Sequence, residues 1–395
     1  MKTIFKHIKG DRTIWAIVAV LAIFSFMPIY SASINLVYVV GSGSTLGYLI
    51  KHIVLLMIGV LISYLIHKIP YRYFSGGSVI MLPVVFILLI YTLLQGTTIG
   101  GVYASRWIRI PFIGIGFQTS TLAGVVLMTY VARYLAKNKG KTIIFRQSLW
   151  QLWLPVGLIF ILILPANFST TTIIFCMIIV VSFIGGYPLK YIAYILGAGT
   201  IGLLLFMLVA KAFPDAMPDR LQTWENRIEN FFKPEGAENY QVEKAKIAIA
   251  TGGIFGKGPG KSIQKNFLPQ SSSDFIYAII VEEYGLLGAL LIAFVYFLLL
   301  FRILITVKKA NTIFGSLLVI GLGLPIVFQA CINMAVASNI LPVTGQTLPL
   351  ISSGGTSIWM TCVALGMILS VSASKNETEV SILDDNPLDI LHETL

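Results

Sequence analysis

Acidic residues are almost missing from the first half of this sequence. Only 11% of the 395 residues are charged, and neither Asp nor Glu occurs between Arg12 and Pro214. A soluble domain has about 25% charged residues, so a soluble fold is excluded. Cysteines and histidines are also few. Cys176, Cys331 and Cys362 lie in apolar stretches, which excludes a disulfide framework, and the four scattered histidines do not indicate a metal site.

Long apolar runs take the place of the missing charge, since 56% of the residues are hydrophobic. A membrane-spanning helix needs about 20 mostly apolar residues. Suitable runs lie at 13–34, 46–66, 77–96, 112–136, 149–165, 168–186, 189–210, 275–304, 312–338 and 354–374. The sequence therefore predicts an all-α, polytopic integral membrane protein, with about ten transmembrane helices forming a single membrane domain over residues 1–395.

The distribution of positive charge predicts the orientation of the helices. Lys and Arg collect in cytoplasmic loops, so the net charge of +11 indicates membrane topology and not nucleic-acid binding. With a cytoplasmic, basic N-terminus that is retained as part of the first helix, residues 211–274 form one large extracytoplasmic loop between helices 7 and 8. Residues 375–395 contain six acids and are predicted to be a flexible cytoplasmic tail.

The large loop has helical patterns of its own. Trp224, Ile228, Phe231 and Phe232 follow one another at helical spacing, and residues 240–250 are suited to a second short helix. We expect a pair of amphipathic helices that lie on the outer surface of the membrane.

Carboxylates for chemistry on the outer face must come from this loop or from the helix that follows it. Asp274 lies where the loop becomes a helix, so helix capping and catalysis are both open to it. Glu282 and Glu283 follow about 12 Å deeper and on different faces, so they do not act as a carboxylate pair. Burial against a partner and a role in ordering the site are the alternatives for both.

Two cationic segments are candidates for binding phosphate. The glycine-rich residues 251–262 hold Lys257 and Lys261, and Lys265 follows, but Phe255 stands where a nucleotide-binding loop needs glycine. A site for another phosphate-bearing substrate and a plain flexible loop both remain open. In the second segment, Arg106, Trp107 and Arg109 are either interfacial anchors or a clamp for a lipid pyrophosphate.

Several ordered motifs give the chain a resemblance to the shape, elongation, division and sporulation family of FtsW, RodA and SpoVE. They are 240–241 (YQ), 248–253 (AIATGG), 256–262 (GKGPGKS), 264–265 (QK), 268–269 (LP), 273–276 (SDFI), 282–285 (EEYG), 333–334 (NM), 341–345 (LPVTG), 348–349 (LP) and 351–357 (ISSGGTS). The similarity covers nearly the whole chain, and the sequence of residues 344–352 is more similar to FtsW than to RodA.

The resemblance implies a function and partners. The family polymerises lipid II, an undecaprenyl-pyrophosphate-linked disaccharide pentapeptide, into glycan strands. It implies a peptidoglycan glycosyltransferase of the inner membrane at the division septum, with a class B penicillin-binding protein and other divisome proteins as partners. It also implies that Asp274 is the essential acid. A lipid II transporter and a scaffold that only holds the penicillin-binding protein are the alternatives.

The chain departs from the family pattern at two charged positions. Gly124 stands where the family has a lysine after the Arg-Trp motif, and Asn167 stands where it has an aspartate. Any mechanism that needs those two charges is therefore in doubt for this chain.

A chemical mechanism follows as a hypothesis. Asp274 acts as general base toward the acceptor 4-hydroxyl, with inversion at the donor carbon. The pyrophosphate leaving group needs cationic stabilisation, for which Arg106, Arg109, Lys257, Lys261 and Lys265 are candidates. Trp107 positions lipid or sugar, and Glu282 orders the substrate site. A divalent cation, Mg²⁺ or Mn²⁺, is compatible with a pyrophosphate substrate, but the sequence assigns no ligands to it.

Overall fold

The fold was analysed in a computed structural model, which describes residues 9–40, 44–95, 97–99, 102–104, 107–109, 116–212, 237–268 and 271–384. Helices dominate this part of the chain. They are α1 (Arg12–Val40), α2 (Thr45–Ile66), α3 (Arg72–Leu94), α4 (Thr119–Lys137), α5 (Phe145–Ile163), α6 (Phe168–Ile184), α7 (Leu189–Ala212), α8 (Ala237–Gly252), α9 (Ile276–Lys309), α10 (Ile313–Ala337) and α11 (Gly355–Asp384).

The predicted helical membrane architecture is confirmed. Within the described residues, seven helices are long and apolar enough to cross a membrane, namely α1, α2, α3, α5, α9, α10 and α11, and α6 is apolar but shorter. Every predicted run overlaps a helix, and α8 matches the second helix expected in the large loop. The total of ten spans stays a prediction. The helix expected around Trp224 lies outside the described residues.

The start of the fourth predicted span was wrong. Residues 112–136 were expected to be helical, but α4 begins only at Thr119, and the preceding residues form strands. The strands are β1 (Thr97–Ile99) with β2 (Val102–Ala104), and β3 (Trp107–Arg109) with β4 (Gly116–Gln118), each pair antiparallel. Strands this short carry no alternating pattern that distinguishes them from the apolar run beside them.

At the other end of the chain, α11 continues to Asp384, so it passes Lys375, where the cytoplasmic tail was predicted to begin. Residues 385–395 lie outside the described part. The flexibility of the tail stays a prediction.

Helices α2 and α11 pack closely because small residues line their contact, a common device between membrane helices. A side chain at Gly59 would overlap Cys362, and one at Gly366 would crowd Ser63. The Ser63 hydroxyl donates a hydrogen bond of 2.6 Å to the Cys362 carbonyl. Together α10 and α11 form the most buried part of the bundle.

Proline shapes α5, which contains a π-helical turn at Leu149–Trp153. Pro155 has no N–H, so the Gln151 carbonyl loses its usual helical donor. The Tyr130 hydroxyl donates to that carbonyl instead.

The predicted tight turn between α5 and α6 is confirmed, since only residues 164–167 separate the two helices. Asn167 caps α6 by accepting a hydrogen bond from the Thr170 N–H (3.3 Å).

Helix α9 is broken by a kink at Gly285, whose φ of 68° and ψ of −166° are not helical. The part before the kink, residues 276–284, is mostly buried by protein, whereas the part after it exposes a row of large apolar side chains. The kink therefore divides α9 into a short helix enclosed by protein and a longer one with a face suited to lipid.

Candidate active site

A cavity of about 460 Å³ lies where α4, α6, α10 and α11 surround the segment that precedes α9. Its lining includes Asp274 and Trp107, two of the predicted site residues. Gly124 and Asn167, the positions at which the chain departs from the family pattern, also line it. Residues that are far apart in the sequence thus meet at one place.

The cavity changes in character with depth. Near the starts of α4, α6 and α11 its wall is polar, whereas apolar side chains close its floor. The polar residues are Gln118, Ser120, Thr121, Asn167, Thr170, Ser273, Asp274, Gln329, Gln346, Thr347, Ser353, Ser357 and Thr361, and the apolar ones include Met128, Ile174, Leu322, Ile326 and Met360. Such a cavity suits a molecule with a polar head and an apolar tail.

Asp274 provides the charge at the polar end of this cavity. Among the described residues of the lining it is the one ionisable acid or base. Its half-buried carboxylate lies beside Gly345, whose φ is +69°. Phe275, not Asp274, occupies the N-cap position of α9, and no side-chain cap is formed there. Asp274 lies one residue before that position, and helix capping and catalysis both stay predictions for it.

Hydrogen bonds from α10 and from the loop before α11 fix the backbone around Asp274. Asn333 donates from its side-chain amide to the carbonyl oxygens of Asp274 (2.8 Å) and Gln346 (2.7 Å). The Ser352 hydroxyl donates to the Ser273 carbonyl (2.7 Å), and the Ser353 N–H donates to the Ser272 carbonyl (2.8 Å). These contacts hold the acid at the cavity wall without using its carboxylate.

Trp107 reaches the cavity from the second hairpin. It pairs with Gln118 at the end of β4, immediately before α4 begins. Its ring lies over Gly116, where a Cβ atom would be 3.1 Å from the indole. The Thr356 hydroxyl at the start of α11 donates to the Gly116 carbonyl (2.9 Å). The hairpin therefore holds Trp107 against the bundle. Arg106 and the Arg109 side chain lie outside the described residues.

The other predicted residues form a separate buried cluster. Glu282 is fully buried, and its carboxylate accepts from the Lys257 ammonium (2.7 Å), the Ser262 hydroxyl and the N–H groups of Ile263 (3.1 Å) and Gln264 (3.2 Å). Both carboxylate oxygens are thus engaged by protein. The burial alternative for Glu282 is therefore confirmed, and its role in ordering the site stays a prediction. The prediction that its carboxylate binds substrate is wrong, because protein groups occupy both oxygens.

Lys265 belongs to the same cluster through Glu283. Its ammonium donates to the Ser31 hydroxyl (3.0 Å) and to the Gly260 carbonyl (2.6 Å), and Ser31 donates in turn to Glu283. Burial lowers the pKa of Lys265, and the nearby carboxylates of Glu283 and Glu282 oppose that change. Lys265 is thus a buried link between the loop and α1. Lys261 is exposed on the same loop, away from the cavity lining.

The glycine-rich loop packs on the kink of α9. The N–H groups of Lys257 and Gly258 donate to the carbonyls of Glu282 and Glu283 (both 2.9 Å). A side chain at Gly256 would overlap the Glu283 carbonyl. The idea that these backbone N–H groups hold a phosphate is wrong at those two positions, because both donors are already used. The glycines permit close backbone contact instead.

Sequence reasoning missed the polar side chains that complete the cavity wall. Gln329 donates to the Thr347 carbonyl (2.9 Å), and the Thr347 hydroxyl shares a hydrogen bond with Ser357 (2.8 Å). Gln346 donates to Thr170 on α6 (3.1 Å). The family motifs around 344–357 indicated this region. The type of an uncharged polar residue, however, does not predict that its side chain lines a cavity. No group of three or more His, Cys, Asp or Glu suited to a metal occurs in the described parts of the chain.

Comparisons with known proteins agree with this architecture. A family model described as "Cell cycle protein", that of FtsW, RodA and SpoVE, matches residues 11–377. A Coxiella burnetii protein named "Probable peptidoglycan glycosyltransferase FtsW" is 30% identical over 371 residues, covering 91% of this chain and 95% of the relative. A protein of the same name from Saccharophagus degradans is 31% identical over 381 residues, with 93% of each chain covered.

Solved structures show the same fold. A chain from a structure described as "Structural coordination of polymerization and crosslinking by a peptidoglycan synthase complex" superimposes with a TM-score of 0.72. It is 24% identical, and the match covers 93% of this chain and 98% of the other. Thermus thermophilus RodA, also 24% identical, gives a TM-score of 0.64 with 93% and 97% covered. With its apolar helices, the protein is a multi-pass protein of the inner membrane. The chain belongs to the FtsW, RodA and SpoVE family of cell cycle proteins.

Proposed function

We propose that this chain is a peptidoglycan glycosyltransferase that polymerises lipid II into glycan strands, with Asp274 as general base. One observation carries the proposal: Asp274 is the single charged residue among the described lining of a cavity that is polar at one end and apolar at the other. Relatives named peptidoglycan glycosyltransferases, which match nearly the whole chain, support the substrate class.

The reaction needs one base and a stabilised leaving group. The acceptor 4-hydroxyl loses its proton to Asp274 as its oxygen attacks the anomeric carbon of the lipid-linked donor. The new C–O bond forms on the face opposite the pyrophosphate, the bond to that group breaks, and the pyrophosphate leaves as an anion. A second carboxylate is unnecessary because the leaving group needs no protonation, unlike the alcohol released by a glycosidase.

The leaving group meets positive charge at the polar end of the cavity. Arg106 and Arg109, which are close to Trp107 in the sequence, are the side chains proposed for this role. The starts of α4, α6 and α11 lie at the same end, so the positive ends of three helix dipoles face it. Lys257 and Lys265 are assigned instead to the buried cluster around Glu282 and Glu283.

Trp107 is proposed to position the sugar or the start of the lipid, since its ring borders the polar end of the cavity. A divalent cation would fit only as a companion of the pyrophosphate, because the described lining offers a single carboxylate to it. Mg²⁺ or Mn²⁺ would then neutralise charge on the leaving group.

Partners are proposed on the basis of the relatives. The fold match to a chain of a peptidoglycan synthase complex and the FtsW names of the relatives favour a class B penicillin-binding protein as transpeptidase partner. Because the relatives are named FtsW, we also propose that this protein acts at the division septum together with other divisome proteins.

Two assays on one preparation distinguish this function from a lipid II transporter or a scaffold. The full chain with its cognate penicillin-binding protein is reconstituted in vesicles, and both lipid II polymerisation and transbilayer movement of labelled lipid II are measured. Glycan strands that disappear with Asp274→Asn support the enzyme. Scrambling without strands supports a transporter, and neither activity supports a scaffold.

A further inference from the structure

Helix α9 marks where the hydrocarbon region of the membrane ends. After the kink, Leu286, Leu287, Leu290, Leu291, Phe294, Phe297, Phe301 and Leu304 form a stripe of large apolar side chains, each at least 45% exposed. The stripe extends over nineteen residues, whose eighteen steps of 1.5 Å give a length of about 27 Å. This length is close to the hydrocarbon thickness of about 30 Å. Leu286 and Leu287 therefore lie at the outer edge of that region.

The tip of the glycine-rich loop is tied to this level. The Leu286 N–H donates to the Gly253 carbonyl (2.9 Å), and the Leu287 N–H donates to the Ile254 carbonyl (3.2 Å). These bonds replace the helical bonds that the kink at Gly285 interrupts. The loop backbone at residues 253–254 is thus fixed beside the first residues of the apolar stripe.

The side chains at the tip are apolar and exposed. Ile254 is 59% exposed and Phe255 is 79% exposed, the highest value among the large hydrophobic side chains of this loop. A segment of loop that faced water would gain nothing from two such side chains. Lys261, farther along the same loop, is also exposed but charged.

We propose that Ile254 and Phe255 are inserted in the outer leaflet of the membrane, at the boundary between acyl chains and headgroups. The occupant of this surface is the lipid bilayer, because the tip continues the lipid-facing stripe of α9 at its outer end. The loop, which the distribution of positive charge along the chain places on the extracytoplasmic side, is therefore inserted in the membrane at this tip. Its anchor lies next to Lys257, which binds Glu282 at the base of the buried cluster.

The position of the tip can be measured with spin labels in the full chain. Cys176, Cys331 and Cys362 are replaced by alanine, and single cysteines are introduced as Phe255→Cys, Leu290→Cys and Lys261→Cys. Each variant is labelled with a nitroxide and reconstituted in phosphatidylethanolamine–phosphatidylglycerol vesicles. Collision rates with oxygen, which concentrates in acyl chains, and with a water-soluble nickel chelate are compared.

The proposal predicts that Phe255→Cys has an oxygen-to-nickel ratio within about twofold of Leu290→Cys and several-fold above Lys261→Cys. Ile254→Cys provides a second label at the tip and should agree. A ratio at both tip positions equal to that of Lys261→Cys would overturn the proposal. Low accessibility to both reagents would also overturn it, because protein and not lipid would then cover the tip.

Discussion

The side-chain amide of Asn333 donates a hydrogen bond of 2.8 Å to the backbone carbonyl of Asp274. The same amide holds the carbonyl of Gln346 at 2.7 Å. One buried residue on α10 thus links the segment before α9 to the loop before α11, on either side of the cavity. The position of the proposed base depends on this link.

Replacing Asn333 by alanine should lower the rate of polymerisation by about 10- to 100-fold. Two carbonyls lose their donor, at about 1–3 kcal/mol for each unsatisfied group, and a small displacement of a base has a large effect on rate. We expect kcat to fall while the KM for lipid II changes little, because the cavity wall keeps its side chains. Steady-state kinetics separate the two quantities.

Ser338→Ala is the matched control for Asn333→Ala. Ser338 follows the end of α10, and its hydroxyl bonds to the Met334 carbonyl of the same helix. It should leave the rate unchanged. A normal kcat for Asn333→Ala would show that this link does not position Asp274.

Replacing Lys257 by methionine should lower the free energy of unfolding by about 3 kcal/mol. The change leaves the fully buried Glu282 without its ammonium partner, and a buried charge that loses its partner is strongly destabilising. Lys261→Met, on the exposed part of the same loop, should have little effect. Thermal unfolding in detergent measures both. Adding Glu282→Gln to Lys257→Met should recover part of the loss, and a double variant less stable than Lys257→Met would contradict the ion pair.

Replacing Gly285 by alanine should destabilise the protein by at least about 2 kcal/mol. Its φ of 68° is strained for alanine, and a Cβ atom would overlap the Ile254 carbonyl. Gly157→Ala in α5 is the control, since a Cβ there would meet no atom within 4 Å. If both variants melted at the same temperature, the close contact between the loop and the kink would be wrong.

Replacing Trp107 by alanine should raise the KM for lipid II by about fivefold, because loss of an aromatic contact is worth about 1 kcal/mol. We expect kcat to change less, since Trp107 makes no contact with the reacting proton in the proposed mechanism. Trp150→Ala serves as control because Trp150 is exposed on α5, outside the cavity lining. An unchanged KM for Trp107→Ala would remove Trp107 from the binding surface.

The sequence predicted the helices well because a membrane span is long and its apolar signal is continuous. It failed where structure depends on short segments or on distant contacts. The hairpin before α4 ends inside the apolar run 112–136, which has no strand period, so the predicted start of α4 was too early. The kink at Gly285 is visible only through its contact with the loop at 253–258, which lies about 30 residues earlier.

The site was predicted unevenly for similar reasons. The lack of acids before Asp215 limited the choice of carboxylate, and the structure places Asp274 in the wall of the cavity. Lys257 and Lys265 carried the charge that a phosphate site needs, but the buried Glu282 and Glu283 compete for it. The sequence shows which side chains are charged. Their binding partners depend on contacts in the folded protein that the sequence does not show.

The most direct test of the central claim is lipid II polymerisation by the full chain with its cognate class B penicillin-binding protein, comparing wild type with Asp274→Asn. The substitution keeps the shape of the side chain and removes its basicity. The account predicts that polymerisation falls at least about 100-fold, with unchanged thermal stability and unchanged binding to the partner. Glycan strands formed by Asp274→Asn at the wild-type rate would contradict it.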